Sequence, residues 1–158
     1  MIVVSDTSPI TNLHQIGRLD LLRQLYQRII IPPAVYAELA FLENQKTLLE
    51  KEDWIRPHEL ADNAMLPDLL QRVDREEAEA IALALELKAE FLLIDEQTGR
   101  NVAEEYGLKI TGILGVLVKA KIEGLLPAVK PALEMLQTVA GFRIHPKLVE
   151  HVLKVVGE

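Results

Sequence analysis

Short apolar runs that stop on a polar or acidic residue alternate with longer stretches of helical periodicity along this chain. The first run, Ile2-Val3-Val4, is β-branched, too short for a helix, and ends on Ser5-Asp6-Thr7-Ser8-Pro9. That pattern predicts a buried strand turning quickly into a helix, with Ser8 as the capping hydroxyl and Pro9 at the first helical position. The helix runs to Ile16 and stops at Gly17, and a second covers Leu19 to Tyr26 with Leu19, Leu22, Leu25 and Tyr26 on one face. Arg28-Ile29-Ile30-Ile31 reads as another short strand. Pro32-Pro33 ends it and opens a helix from Ala34 to about Leu42, with Val35, Leu39 and Leu42 at core spacing.

The middle of the chain is less regular. Lys46 to Asp53 reads as a charged helix, Trp54-Ile55-Arg56-Pro57 as an extended piece, and Asn63 to Val73 as a loop running into a small helix around Leu69 and Leu70. No chemistry is expected between Asn44 and Asp74, and Trp54 is expected to anchor a core edge or an interface. Asp74 then caps a strong helix former, Arg75 to Leu87, whose Ala78, Ala80, Ala82 and Ala84 leave so little bulk that it can lie close against a sheet. Phe91-Leu92-Leu93-Ile94 repeats the opening pattern, a buried strand ending on the acid Asp95.

Thr98 to Tyr106 reads as a helix closed by Gly107, and Leu108-Lys109-Ile110 as a strand. Thr111-Gly112 starts a helix from Ile113 to Glu123, Pro127 opens another to about Val139, and Pro146 opens a last one ending near Gly157. Gly141-Phe142-Arg143-Ile144 is either a short edge strand or a connector. The alternation predicts a single α/β domain over residues 1–158, three layers α/β/α around a mostly parallel sheet of four or five strands with right-handed crossovers.

Composition narrows the chemistry. The chain has 158 residues and no cysteine, so it can build a core without staples and has neither disulfides nor thiolate metal sites. No signal-like segment or membrane-spanning run stands out, and a soluble, cytoplasmic protein is expected. The formal charge of −7 is uneven: residues 1–99 hold 9 Lys/Arg and 18 Asp/Glu, whereas residues 100–158 hold 8 and 6. An acidic half suited to cations beside a mildly basic half is compatible with a phosphate substrate.

Asp6 and Asp95 follow apolar runs and so stand at carboxyl ends of strands, where open parallel sheets bind ligands. Glu38, about one turn into its helix, and the first-turn acids Glu76, Glu77 and Glu79 read by themselves as ordinary helix acids, and periodicity does not choose among the latter three. Carboxylates brought together there would repel one another unless cations joined them. Oxygen ligands without cysteine or suitably spaced histidine favour Mg²⁺ or Mn²⁺ over zinc, and such a cluster suits phosphodiester hydrolysis. Thr7 and Ser8 are capping hydroxyls first, with a secondary role beside metal-bound water. His14, His58, His145 and His151 read as surface or helix-end residues. An aspartyl-nucleophile phosphohydrolase would put a second acid two residues after the first, where this chain has Ser8.

The segments VVSDTSPITNL, IIIPPAVYAEL, DREEAEAIALALEL and FLLIDEQTGRNVAEEYGLKITGILGVL together resemble a PIN-domain protein, more narrowly the branch related to VapC-type toxins. The closing GLLPAVKPALEML and GFRIHPKLVEHVL segments extend the resemblance over nearly the whole chain. It implies a PIN-like fold, a metal-dependent ribonuclease acting on RNA, a small antitoxin partner and a homodimer. It also implies that Asp6, Glu38, Glu77 and Asp95 are the metal-holding, catalytic acids, Glu77 being chosen because the family places its third acid ahead of an alanine-rich helix. Many relatives carry threonine two residues before the fourth acid. This chain has Leu93 there, and Glu96 and Thr98 are the nearest substitutes for a supporting role. Arg100, Lys109, Lys119 and Lys121 are the basic candidates for RNA contacts. The alternative is a catalytically silent PIN fold that binds a protein partner or RNA.

Overall fold

The computed structural model describes residues 1–41 and 46–158, and of Lys46 the backbone alone. Leu42 and Asn44, where the sequence predicts a helix end and the start of the irregular stretch, lie outside the described residues. The elements in order are β1 (Val3–Ser5), α1 (Thr7–Gln15), α2 (Asp20–Tyr26), β2 (Ile29–Ile31), α3 (Pro33–Phe41), α4 (Lys46–Lys51), β3 (Ile55–Pro57) and α5 (Leu66–Leu70). They continue with α6 (Arg75–Leu87), β4 (Phe91–Leu93), α7 (Gln97–Glu105), β5 (Ile110–Thr111), α8 (Ile113–Ile122), α9 (Lys130–Thr138) and α10 (Pro146–Val155).

The β-branched triplets became the inner strands because both faces of each are covered: β1 is buried throughout, and Ile29 and Ile31 of β2 are fully buried. All pairings are parallel, in the order β3-β2-β1-β4-β5. The chain therefore steps outward from β1 to β3, then crosses back to the other side of β1 for β4 and β5. This reversal opens a crevice at the carboxyl ends of β1 and β4, the place where ligands enter open α/β sheets. Among the described residues five strands, all parallel, with helices on both faces make the predicted three-layer α/β/α fold.

Alternation of side chains splits the core in two. Val3, Ile29, Ile31 and Leu93 face the layer holding α1, α2, α3, α8 and α9, whereas Val4, Leu92 and Ile94 face α5, α6 and α7. Every residue of α6 from Glu77 to Ala84 is buried, which its alanines permit by letting the backbone approach the sheet. Trp54 is a core anchor, 7% exposed, with its indole N–H donated to Glu52 at 2.7 Å.

Some boundaries differ from the sequence reading. Helix α1 begins at Thr7, so its cap residue is Asp6 rather than Ser8, and Pro9 is its third residue. The Asp6 N–H bonds Leu93 O at 2.9 Å, so the sheet pairing reaches the residue that caps the helix and the chain passes from strand to helix with no loop between them. Helix α9 starts at Lys130 instead of Pro127, because the Glu158 carboxylate takes the N–H groups of Val129 and Lys130 at 2.7 and 3.1 Å and sets the helix start there. The 141–145 stretch is a connector, with no strand pairing.

Candidate functional site

The crevice is a cleft of about 790 Å³ lined by residues from β1–α1, α3, the α5–α6 turn, β4–α7 and the 141–145 connector. All four sequence-predicted acids, Asp6, Glu38, Glu77 and Asp95, line it, together with Thr7, Ser8, Glu96 and Thr98. The wall also contains Asp74 and Glu76, so the stretch expected to be free of chemistry contributes Asp74, along with Gln71 and Arg72.

Asp6 is 7% exposed. As the cap residue of α1 it makes no capping hydrogen bond with its side chain, and its Oδ1 has no partner among the described residues. Burial pushes its carboxyl up from 3.8 to about 7; the Thr7 N–H offsets part of this, and the charges of Asp74, Glu38 and Glu76 add to it. Thr7 donates its hydroxyl to Glu38 Oε2 at 3.0 Å, so the residue after the first acid orients the second. Glu38 is raised by its own burial, opposed by that hydroxyl, and raised further by Glu76 and Asp74.

Three acids near the start of α6 look alike in sequence, yet the packing separates them: Glu76 and Glu77 lie in its first turn and Glu79 just beyond it. Glu79 is 7% exposed and already committed: it accepts the Ala34 N–H at 2.9 Å, which caps α3, and pairs with Arg75 at 3.4 Å. Glu76 is half-buried and faces Glu38. Glu77 is 5% exposed with Oε2 unpartnered, and its carboxyl is raised from 4.5 to about 8 by burial, then by the Asp74 carboxyl against it and by Asp6 and Glu96. Asp74 itself caps α6 through the Glu77 N–H at 2.8 Å. Glu79→Ala is expected to cost about 1–2 kcal/mol in urea unfolding by orphaning the Ala34 N–H, with Glu79→Gln restoring most of it.

Asp95 accepts the Ile113 N–H at 2.8 Å through Oδ1, which caps α8 from the end of β4, and its buried Oδ2 has no partner among the described residues. Its burial raises the carboxyl while Ile113, Arg100 and the Ser8 hydroxyl pull the other way. Two glycines make room for these side chains. A Cβ on Gly112 would meet Asp95 Oδ1 at 2.8 Å and Arg100 Nη1 at 2.6 Å, and a Cβ on Gly99 would collide with the Glu77 carboxylate.

The basic candidates are scattered. Arg100 donates to Ile94 O at 3.0 Å beside Asp95, and Lys119 lies over the rings of Tyr26 and Phe91 at 5.0 and 5.6 Å. Lys109 is exposed ahead of β5, at the amino edge of the sheet, and Lys121 is held by Pro127 O at 2.6 Å and Glu158 at 3.6 Å. None of the four lines the acidic cleft. Among the described residues the basic ones that do are Arg72 and Arg143, neither singled out by sequence, since isolated arginines in irregular segments carry no periodic signal.

The cleft suits a cation better than it suits the bare protein: Asp6 Oδ1, Glu77 Oε2 and Asp95 Oδ2 are buried without hydrogen-bond donors, which is costly unless a proton or a positive ion supplies the partner. Among the described residues no three acids stand close enough together to grip one ion as they are. Closure on a cation would need side-chain rotation, for which Glu38 and Glu76, both half-buried, have room.

A parallel sheet whose order reverses over an acid-lined crevice, with acids supplied by two strand ends and two packed helices, is an architecture suited to holding a hard cation at the sheet's ligand edge. The family model DUF3368, a PIN domain, matches residues 2–158, and the chain belongs to this PIN-domain family. No curated protein matches the chain. Among the described residues no helix is long and apolar enough to cross a membrane.

Proposed function

We propose that the protein is a Mg²⁺- or Mn²⁺-dependent endoribonuclease in which Asp6, Glu38, Glu77 and Asp95 hold the metal. The observation that carries this is the set of three unpartnered, buried carboxylate oxygens on Asp6, Glu77 and Asp95, contributed by three separate segments to one cleft. Oxygen-only donors of this kind suit hard divalent ions. When bound, such an ion lowers the pKa of attacking water and offsets charge on the phosphoryl group.

The chain's own residues prepare the site. Thr7 orients Glu38, the Ile113 N–H fixes one oxygen of Asp95 so that the other stays available, and Ser8, close to Asp95, is placed to steady a bound water. Glu96 and Thr98 line the same wall and would support that water from the α7 side. The likeness to VapC-type toxins extends the reading to a cytoplasmic toxin that works as a homodimer and is silenced by a small antitoxin covering the acidic cleft.

The test is cleavage of labelled single-stranded and structured RNA with Mg²⁺, Mn²⁺ or chelator, using Asp95→Asn and the Asp6→Asn, Asp95→Asn double variant as controls. Each is expected to lose about 100-fold or more of the divalent-dependent activity. A double variant as active as the parent would show that the cleft is not the site. RNA binding without cleavage at any metal concentration would leave a silent binding module instead. An antitoxin-sized reading frame beside the gene, and a dimer by light scattering, are the outcomes expected of the toxin reading.

A further inference from the structure

A second cavity of about 710 Å³ adjoins the acidic cleft, walled by α8, α10 and the 141–145 connector. Asp95, Phe142 and Arg143 line both cavities and form the ridge between them. The charge changes sign across that ridge. On the cleft side acids dominate, whereas among the described residues the second cavity is lined by the cations Arg100, Lys119 and Arg143 and by one acid, Asp95. Its remaining wall is largely apolar, including Leu114, Val118, Leu148 and Val152.

Arg143 is exposed, and its guanidinium makes no ion pair or hydrogen bond with the described residues. The cleft's other arginine is already occupied: Arg72 donates two hydrogen bonds to Glu105, at 2.7 and 2.9 Å. Arg143 is also held in place from both sides. The Phe142 N–H bonds Leu136 O at 2.8 Å, Ile144 is buried at 9% exposure, and His145 caps α10 by accepting the Lys147 N–H at 3.1 Å.

We infer that the ridge and second cavity form a substrate-strand subsite, in which Arg143 takes the phosphate next to the one being cut and the cavity behind Phe142 receives the flanking nucleotide of single-stranded RNA. An acid-lined cleft cannot by itself retain a polyanion, so binding needs a cationic hold outside the metal site; an exposed, unpaired arginine on the shared rim supplies it. An apolar wall beside an aromatic ring suits an unpaired base, whose faces are apolar and whose edges remain solvated. This subsite rests on the ribonuclease reading for its substrate, while its binding prediction is independent of catalysis.

The experiment compares wild type with Arg143→Ala, Arg143→Lys and Leu148→Glu. Leu148 is 43% exposed on the cavity wall, so a charge there is tolerated by the fold and repels the strand. Binding of a fluorescein-labelled single-stranded oligoribonucleotide in chelator is read by anisotropy, and KM and kcat are read with Mn²⁺. Arg143→Ala and Leu148→Glu are expected to raise Kd and KM about tenfold with little change in kcat. In Arg143→Ala the slope of log Kd against log salt should shrink by about one, and Arg143→Lys should recover that slope. Calorimetric Mn²⁺ binding should not change in any of them. A wild type that binds RNA without cutting it, with the two variants weakened, keeps the subsite and overturns the nuclease. Variants that match a cleaving wild type in KM overturn the subsite and keep the nuclease. A wild type that neither binds nor cuts RNA overturns both.

Discussion

Asp6→Asn is expected to abolish divalent-dependent cleavage and, in metal-free protein at pH 8, to raise the melting temperature by about 4–8 °C, a gain of about 2 kcal/mol. The two effects have one cause. The folded state holds the Asp6 and Glu77 protons up to about pH 7 and 8, whereas the unfolded chain releases them near 3.8 and 4.5. Within that window the native protein binds more protons than the unfolded one, so stability falls as pH rises and the penalty is complete above about pH 8. The shift at Asp6 alone corresponds to about 4 kcal/mol. Asp6 and Glu77 repel one another and share the burden, so removing one charge recovers only part of it. Below pH 4 the Asn variant should have no advantage. Saturating Mn²⁺ should reverse the order at pH 8, because the ion takes the place of the missing protons in wild type and has lost a ligand in the variant. Thermal melts at pH 4, 6 and 8, with and without Mn²⁺, check this. A metal-free wild type whose stability rises steadily from pH 5 to pH 8 would contradict it.

Gly99→Ala should lower Mn²⁺ affinity and RNA cleavage by about 10–100-fold although position 99 has no ligating group. Gly99 lies in α7 against the Glu77 carboxylate, and a methyl group there would collide with that carboxylate and meet Ile94 Cδ1 at 2.7 Å. Glu77 would have to swing away, since its backbone is fixed in a buried helix and Ile94 is fully buried. Helix propensity by itself favours alanine by about 1 kcal/mol, so stability should change much less than metal binding does. Adding Glu77→Asp to Gly99→Ala shortens the acid by a methylene and should recover part of the Mn²⁺ affinity seen by calorimetry. A Gly99→Ala protein with wild-type affinity would mean that Glu77 takes no part in holding the ion.

The β-branched runs, the alanine helix and the two acids that follow apolar strands were legible because each is a local pattern. Ile2-Val3-Val4 and Phe91-Leu92-Leu93-Ile94 have few stable states besides a buried strand, and a strand that ends on an acid places that acid at a sheet edge. The alternation of elements then implies the parallel sheet, and with it the side on which Asp6 and Asp95 emerge. Boundaries moved by one to three residues where a distant partner intervened, as when Glu158 set the start of α9.

Tertiary structure alone decided what neighbouring acids on one helix do. Glu76, Glu77 and Glu79 share charge and size and lie close together at the start of α6, and they become distinct because α3, α7 and Asp74 pack around them: the Ala34 N–H claims Glu79, Glu38 lies against Glu76, and Gly99 leaves space for Glu77. The same holds for Asp74, Arg72 and Arg143, which come from segments without periodicity and meet only when the chain closes around the crevice. The sequence by itself determined an α/β sheet with an acid at each of two strand ends. Which other groups surround those acids depends on contacts between residues far apart in the chain, and hydrophobic periodicity, a property of each segment alone, carries no record of them.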